Sequence, residues 1–113
     1  VMITNLNKKT TVSKHAEVYS RWWQHTIGLM FSHPKTIIFK FKKEKKISLH
    51  MFFVFFPIDV IFLDKENVVV EMKENFRPWT TYHPQKPAKY IIETPAHTIQ
   101  NSKTGIGDII SFK

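Results

Sequence analysis

The sequence predicts an α+β fold, mainly β, in a single small domain formed by residues 1–113. The expected architecture is a curled antiparallel sheet, or a barrel-like half-barrel, with one helix near the N-terminus. Three observations support this fold class. Short stretches alternate between apolar and polar residues or are continuously apolar, which is typical of strands. Only one stretch has helical spacing. Most links have the length of hairpin turns, in a chain of 113 residues that is large enough for one core.

The N-terminal part of the chain predicts a hairpin and then the helix. β-Branched residues favour strands over residues 3–6 and 10–18, with a turn at residues 7–9. Ser20 can cap a helix over residues 21–31. Apolar side chains recur in this segment at spacings of three and four, namely Trp23, Ile27 and Met30 or Phe31.

A second hairpin is predicted after the helix. Ile37, Phe39 and Phe41 alternate with lysines, which is the pattern of a half-exposed strand. Residues 42–46 are expected to form the tip of this hairpin, and residues 47–53 its second strand.

The most apolar stretch of the chain surrounds Asp59. Pro57 and Asp59 suggest two buried strands that meet at a tight corner, held by hydrogen bonds to the carboxylate. Beyond this corner, residues 58–63 do not alternate and should be covered on both faces. Residues 64–67 favour a turn, and a further strand follows over residues 68–72.

The C-terminal third predicts a loop, two strands and a helical turn. Residues 76–87 contain three prolines, with Trp79 and Tyr82 between them, so this loop should fold back over the sheet. Gly105 and Gly107 form a Gly-x-Gly pattern that precedes a strand and not a helix, so we expect a turn there and no pyrophosphate site. The regular elements are strands over residues 89–93 and 108–112 and a helical turn over residues 98–103.

Charge and composition favour some partners and exclude some kinds of site. Seventeen Lys and Arg against nine Asp and Glu give a formal net charge of +8, and such a field attracts polyanions. The chain contains no cysteine, which excludes disulfides and thiolate metal sites. No apolar run reaches the roughly 20 residues of a membrane-spanning helix, and no N-terminal signal segment is evident. We therefore expect a cytoplasmic protein with no membrane span, no metal and no cofactor.

Several segments, taken in order, resemble a known family. The most specific part is Gly28-Leu29-Met30, followed at the right distance by a Pro-x-Asp-x-x-Phe-x-Asp pattern. The segments that carry the resemblance are Gly28-Leu29-Met30, Met51, the run from Pro57 to Asp64, Val68-Val69, residues 90–93 and Gly107-Asp108. Together they resemble the domain of unknown function family 192, also called uncharacterised protein family 0127, in the form of a short archaeal-type member. The resemblance implies a small, largely β domain and assigns no activity.

The chain departs from this family pattern at two places. Many relatives carry a polar segment after the methionine, where this chain has Phe52-Phe53-Val54. His97 stands where a glycine is frequent. If the polar segment forms a ligand site in relatives, the resemblance implies that this chain lacks it.

Asp59 is the first candidate site residue, since an ionised carboxylate in an apolar setting needs partners. The structural interpretation is a corner anchor that accepts backbone N–H bonds from residues 54–57. The functional interpretation is a site carboxylate with His50 or Arg21 as its partner and a perturbed pKa. We favour the anchor because buried polar groups are more often structural. His50, Asp59 and Asp64 form a histidine–carboxylate trio to inspect for a metal, although the six histidines show no His-x-x-x-His pair.

Two further groups of residues are candidates for ligand binding. Lys42, Lys43, Lys45 and Lys46 follow two phenylalanines and could contact a phosphate backbone while an aromatic ring stacks on a base. The simpler interpretation is a solvated hairpin tip that protects against edge aggregation.

The second group lies in the proline-rich loop, where Trp79, Tyr82 and Arg77 could form a shallow surface for a carbohydrate, a peptide or a base. The same aromatics could equally close one end of a barrel. Our leading hypothesis is a non-enzymatic binding or accessory domain whose cleft lies between the helix around Met30 and this loop. The alternatives are nucleic-acid binding through the lysines and an enzyme that uses Asp59 and His50.

Overall fold

Strands make up most of the described structure. The computed structural model describes residues 1–20, 35–51 and 54–113. The helix predicted over residues 21–31 lies outside these ranges. Among the residues that are described, no helix is long and apolar enough to span a lipid bilayer. The elements in chain order are β1 (Ile3–Asn5), β2 (Thr10–Ser13), β3 (Ala16–Tyr19), β4 (Thr36–Lys45), β5 (Leu49–His50), β6 (Ile58–Leu63), β7 (Val69–Phe76), β8 (Thr81–Tyr82), β9 (Ala88–Pro95), α1 (Thr98–Ser102) and β10 (Ile110–Phe112).

The described strands form a five-stranded sheet in the order β3-β4-β9-β6-β7, a three-stranded sheet in the order β10-β1-β2, and the pair β5-β8. This arrangement confirms the α+β, mainly β, fold class. The sheets are not closed into a barrel, because the edge strands β3 and β7 of the larger sheet do not pair with each other. β3 and β4 pair in parallel and not in the expected antiparallel sense. The link over residues 20–35 supplies the long connection that a parallel pair requires.

The centre of the five-stranded sheet is buried on both faces. Every residue of β6 is buried, which confirms the prediction for this stretch. Phe62 enters a first core together with Phe76. Ile61 points to the other face and enters a second core together with Ile110. Each buried side chain of this kind stabilises the fold by about 1.5–3 kcal/mol, so β6 anchors both layers.

The prediction of a second hairpin is wrong. β4 continues through Lys45 and pairs with β3 on one side and β9 on the other, so residues 42–45 belong to a strand and not to a hairpin tip. The residues expected to form its partner instead contribute the short strand β5, which pairs with β8. The alternation of Phe and Lys identifies the two faces of β4 but carries no information about which strands lie beside it.

Most other predicted elements are confirmed with small shifts in their ends. β1 and β2 form the expected N-terminal hairpin, and β7, β9, α1 and β10 occur where predicted. The long strand predicted over residues 10–18 is instead two strands, β2 and β3, in different sheets. The proline-rich loop folds back as expected, because the ring of Tyr82 lies 5.8 Å from that of Phe62.

Asp64 holds the turn between β6 and β7. Its Oδ1 accepts the N–H of Glu66 at 2.8 Å and the N–H of Val68 at 3.0 Å. Asn67 has a φ of 64°, the left-handed conformation that asparagine tolerates. The predicted turn is therefore confirmed, and both of its side-chain bonds use one carboxylate oxygen.

The turn over residues 105–108 closes around a buried carboxylate. Asp108 accepts hydrogen bonds from Asn5 Nδ2 at 2.9 Å, Lys8 Nζ at 2.7 Å and the Gly105 N–H at 2.9 Å. Burial favours a higher pKa for Asp108, but these hydrogen bonds outweigh it and hold the pKa below its ordinary range. The φ of Gly107 is 91°, which favours glycine. The Gly-x-Gly pattern is thus a turn, as predicted, and it ties the C-terminal segment to β1.

Candidate functional site

An open cleft of about 370 Å³ lies at the end of β7. Its volume is within the range of small-molecule sites. Arg77 and Tyr82, which the sequence nominated for ligand binding, both line it. The full lining is Lys73, Glu74, Asn75, Arg77, Thr80, Thr81 and Tyr82.

A β-bulge forms the floor of this cleft. Ile58 is opposite Phe76, but Val60 is opposite Lys73, so β7 contains one more residue than β6 in this interval. Asn75 has a φ of 50° and takes the left-handed conformation at the bulge. Bulges redirect side chains and are common beside functional sites. Here the bulge interrupts the regular ladder at Asn75.

Asp59 holds the bulge in place. Its Oδ1 accepts the N–H of Asn75 at 3.0 Å, and its Oδ2 accepts the N–H of Ile99 in α1 at 2.9 Å. The residue is 1% exposed. The carboxylate is therefore bound by main-chain donors, as the anchor interpretation requires, but the donors come from β7 and α1 and not from residues 54–57. One buried side chain thus links the floor of the cleft to the helix on the opposite face of the sheet.

Tyr82 forms a fixed, neutral wall of the cleft. Its ring packs against Phe62 and Phe76, with centroids 5.8 and 6.2 Å away, and its hydroxyl donates a hydrogen bond to Glu71. Burial and the neighbouring Glu71 carboxylate raise the pKa of Tyr82 to about 12. The phenol therefore keeps its proton at neutral pH. Glu71 also accepts the backbone N–H groups of residues 85 and 86, each at 2.9 Å.

Two cations face the cleft without carboxylate partners. Lys73 Nζ lies 5.8 Å from the centroid of the Tyr82 ring, a cation–π contact. Arg77 is exposed. Among the described residues, the ion pairs within 4.0 Å are Lys8 with Asp108 and Lys35 with Glu17, so neither cleft cation is paired there. Glu74 is the one carboxylate among the described lining residues, which leaves the cleft with an excess of positive charge.

The loop that carries Trp79 is pinned to Met51 by two backbone hydrogen bonds. The Trp79 N–H donates to the Met51 carbonyl at 2.8 Å, and the Met51 N–H donates to the Thr80 carbonyl at 2.9 Å. Trp79 has a φ of 65°, and its side chain is 51% exposed. Its ring meets that of Phe55 edge to face at 6.1 Å. Trp79 is not a lining residue of the cleft, but the same short loop presents it to solvent.

The remaining nominated residues do not join this cleft. Arg21 and Met30 lie outside the described residues. His50 lies in β5 opposite Thr81, and Asp64 holds the β6–β7 turn. Within the described parts of the chain, no three His, Asp or Glu side chains are placed to hold a metal ion. The four nominated lysines, Lys42, Lys43, Lys45 and Lys46, are exposed on and just after the end of β4.

Sequence reasoning missed five of the lining residues, namely Lys73, Glu74, Asn75, Thr80 and Thr81. Lys73 and Asn75 lie on β7, where the sequence predicted a strand that ends at residue 72. The one available signal was the polar run from Lys73 to Asn75 between the strand and the apolar Phe76. Such a run marks the end of regular alternation, but it does not show that a buried aspartate from another strand shapes it.

The chain is similar to proteins of one uncharacterised family. The family model DUF192, described as "Uncharacterized ACR", matches residues 3–112. A UPF0127 protein of Thermococcus sibiricus is 36% identical over 117 residues, which cover 99% of this chain and 75% of that protein. A UPF0127 protein of Pyrococcus abyssi is 32% identical over 114 residues, which cover 98% of this chain and 97% of that protein.

Solved structures share the fold at low sequence identity. A Sinorhizobium meliloti protein, provisionally named as a transcription regulator, superposes with a TM-score of 0.85 at 19% identity, covering 97% of this chain and 89% of that one. A Novosphingobium aromaticivorans protein of unknown function superposes with a TM-score of 0.80 at 18% identity. The match covers 98% of this chain and 82% of that one. At these identities the likeness establishes the fold alone.

Proposed function

Because the chain belongs to the DUF192 family, whose name assigns no activity, we propose a function from the cleft itself: the protein is a non-enzymatic binding domain for a small anionic ligand. The observation that supports this proposal is the pair of cations, Lys73 and Arg77, that line a ligand-sized cleft without carboxylate partners among the described residues.

Glu74 is the one acidic side chain in the described lining, and the other nearby acids are engaged elsewhere. Glu71 accepts the Tyr82 hydroxyl and two backbone N–H groups. Asp59 is buried under the bulge, and its carboxylate accepts two further backbone N–H groups. The two cations therefore outnumber the one carboxylate of the lining, Glu74, and an anion entering the cleft would balance the excess positive charge. A guanidinium and an ammonium together favour a carboxylate or a phosphate group, because both cations form charge-assisted hydrogen bonds to such oxygens.

The polar side chains between the two cations can complete such a site. Asn75 and Thr81 line the cleft and can donate hydrogen bonds to ligand oxygens. Thr80 Oγ1 donates to the Arg77 carbonyl at 2.6 Å, which stiffens the loop below the guanidinium. A stiff loop reduces the ordering cost of binding.

The enzyme alternative required an accessible Asp59 near His50. Asp59 is 1% exposed, and each of its oxygens accepts a backbone N–H. A carboxylate in this position cannot meet substrate without opening the sheet, so our proposal rests on binding.

The test is an NMR titration of the ¹⁵N-labelled protein with inorganic phosphate, pyrophosphate and citrate, with neutral sugars and a neutral peptide as comparison ligands. We expect anions to shift the backbone amides of Asn75, Thr80 and Thr81. The double variant Lys73→Gln/Arg77→Gln should weaken anion binding at least tenfold.

A matched control, Lys14→Gln/Lys86→Gln, removes the same charge from exposed positions that do not line the cleft. It should bind anions as the wild type does. Equal weakening in both double variants would show a general charge effect and contradict the proposal. Shifts at Trp79 with a sugar or a peptide, unchanged in Lys73→Gln/Arg77→Gln, would favour those ligands instead.

A further inference from the structure

Six lysines are concentrated at one end of the sheet, away from the lining of the cleft. Five of them follow one another closely on or just after β4, and the sixth lies on the adjacent strand β9. These residues are Lys40, Lys42, Lys43, Lys45, Lys46 and Lys89, out of the 17 Lys and Arg of the chain. Glu44 is the one acidic residue within this stretch of β4.

Several acids of this protein accept backbone N–H groups and do not form ion pairs with the six lysines among the described residues. Glu44 itself accepts the N–H of Lys65 at 2.7 Å. Asp59, Asp64 and Glu71 accept backbone N–H groups in the same way. In the described ranges, Lys8 and Lys35 are the lysines that form ion pairs. The positive field of the six lysines is therefore not neutralised locally.

Four of these six lysines line two adjoining hollows. One hollow of about 490 Å³ is bordered by Ser20, Phe39, Phe41, Lys42, Lys45 and Ile47. A second, of about 690 Å³, is bordered by Ser20, Lys40, Phe41, Lys42 and Lys89. Ser20, Phe41 and Lys42 border both hollows, so the two adjoin along β4, and together they are called the groove below.

Contacts within the protein hold two of the ammonium groups along the groove. Lys89 Nζ donates to the Lys42 carbonyl at 2.7 Å. Lys45 Nζ lies 5.3 Å from the centroid of the Phe41 ring, a cation–π contact. Each ammonium keeps further N–H donors for an external anion, since an ammonium has three.

We propose that this groove binds nucleic acid through the sugar–phosphate backbone, without reading the bases. Ammonium groups spaced along a strand suit a row of phosphates. Phe39 and Phe41 are only 2% and 7% exposed, so neither ring can stack on a base, which corrects the stacking idea that the sequence raised. The charged side chains in the described lining of the groove are all lysines, which bind phosphates as point charges.

The test measures fluorescence anisotropy of a labelled oligonucleotide of mixed sequence, single-stranded and duplex, at increasing KCl. Affinity should fall linearly on a log–log plot. If four lysines each neutralise one phosphate, the slope is about −3 to −4, equivalent to roughly a 100-fold loss of affinity between 50 and 200 mM salt. Oligonucleotides of different sequence should bind with equal affinity.

The variant Lys40→Gln/Lys42→Gln/Lys45→Gln/Lys89→Gln should lose most of this slope and bind more than tenfold more weakly at low salt. The matched control, Lys9→Gln/Lys14→Gln/Lys103→Gln/Lys113→Gln, carries the same net charge but leaves the groove intact. It should keep most of the affinity. Arginine at the four groove positions should restore binding, because it retains the charge.

An independent readout uses the wild type alone, so the proposal stays testable if the glutamine variant does not fold. On adding the oligonucleotide, NMR shifts should cluster at residues 40–47 and 88–90. Shifts confined to the Lys73–Arg77 cleft, equal loss in the matched control, or binding to anionic lipid vesicles with none to the oligonucleotide would each overturn it. Binding by the groove in Lys73→Gln/Arg77→Gln would separate this site from the cleft.

Discussion

The substitution Asp59→Asn tests how a buried carboxylate holds two distant backbone segments. Each of its oxygens accepts one main-chain N–H, from Asn75 at 3.0 Å and from Ile99 at 2.9 Å. An asparagine amide offers one acceptor oxygen and a donor NH₂, so one of the two N–H groups must lose its partner. A buried unsatisfied donor costs about 1–3 kcal/mol, and hydrogen bonds to charged groups are stronger than neutral ones. We therefore expect the free energy of unfolding to fall by about 2–4 kcal/mol.

Asp64→Asn is the matched control for this substitution. Asp64 also accepts two backbone N–H groups, from Glu66 and Val68, but both bonds go to Oδ1. Asparagine keeps this oxygen, so the same chemical change should cost less than about 1 kcal/mol at this half-buried site. The comparison separates the geometry of the bonds from the loss of a negative charge.

Urea unfolding of the two variants and the wild type, followed by circular dichroism, gives the three free energies. Hydrogen exchange should show which N–H lost its partner in Asp59→Asn, through faster exchange at Asn75 or Ile99. Equal destabilisation of the two variants would refute the reasoning, because it would mean that charge, and not the division of the bonds between two oxygens, decides the cost.

Three further predictions concern single positions. His97 has a φ of 74°, a left-handed conformation that costs a non-glycine residue about 1–2 kcal/mol. Glycine avoids this cost but loses more backbone entropy on folding. His97→Gly should therefore raise the free energy of unfolding by about 0.5–1 kcal/mol. Asp108 has a lowered pKa, so its contribution to stability is present above its unfolded pKa and lost as the pH falls through the folded one. In urea unfolding, Asp108→Asn should therefore differ most from the wild type at pH 7, and the difference should shrink as the pH falls below the ordinary aspartate pKa of about 3.9. Ultraviolet titration should show the Tyr82 phenol ionising near pH 12, and Glu71→Gln should lower that pKa. Since the folded pKa exceeds the ordinary value of about 10, this contribution to stability is complete below about pH 10 and lost as the pH rises through about 12.

The parts of the fold that follow from local pattern could be predicted. β6 lacks alternation and is buried on both faces, and the Asp64 to Asn67 turn follows from the conformations that its own residues favour. The partner of β4 could not be predicted, because alternation specifies a face and not a neighbour. Residues 47–53 followed β4 closely enough to suggest a hairpin, yet β9, more than 40 residues further along the chain, occupies that edge.

The candidate site was predictable only where a residue type is informative by itself. Tyr82 and Arg77 were nominated because aromatic and basic residues in a proline-rich loop favour binding. Lys73 and Asn75 were missed, since their position depends on a bulge that Asp59 stabilises from the neighbouring strand. Long-range hydrogen bonds of this kind leave no periodic signal in the sequence.

As a structural anchor, Asp59 also affects the proposed binding site. Its carboxylate does not meet a ligand, because it is buried, yet it fixes the backbone of Asn75 at the floor of the proposed anion cleft. If the cleft binds anions, Asp59→Asn should weaken that binding even at temperatures where the variant remains fully folded. Asp64→Asn should leave the affinity unchanged, because the turn it holds does not line the cleft. A loss of stability in Asp59→Asn with unaltered anion affinity would show that the bulge does not shape the binding site.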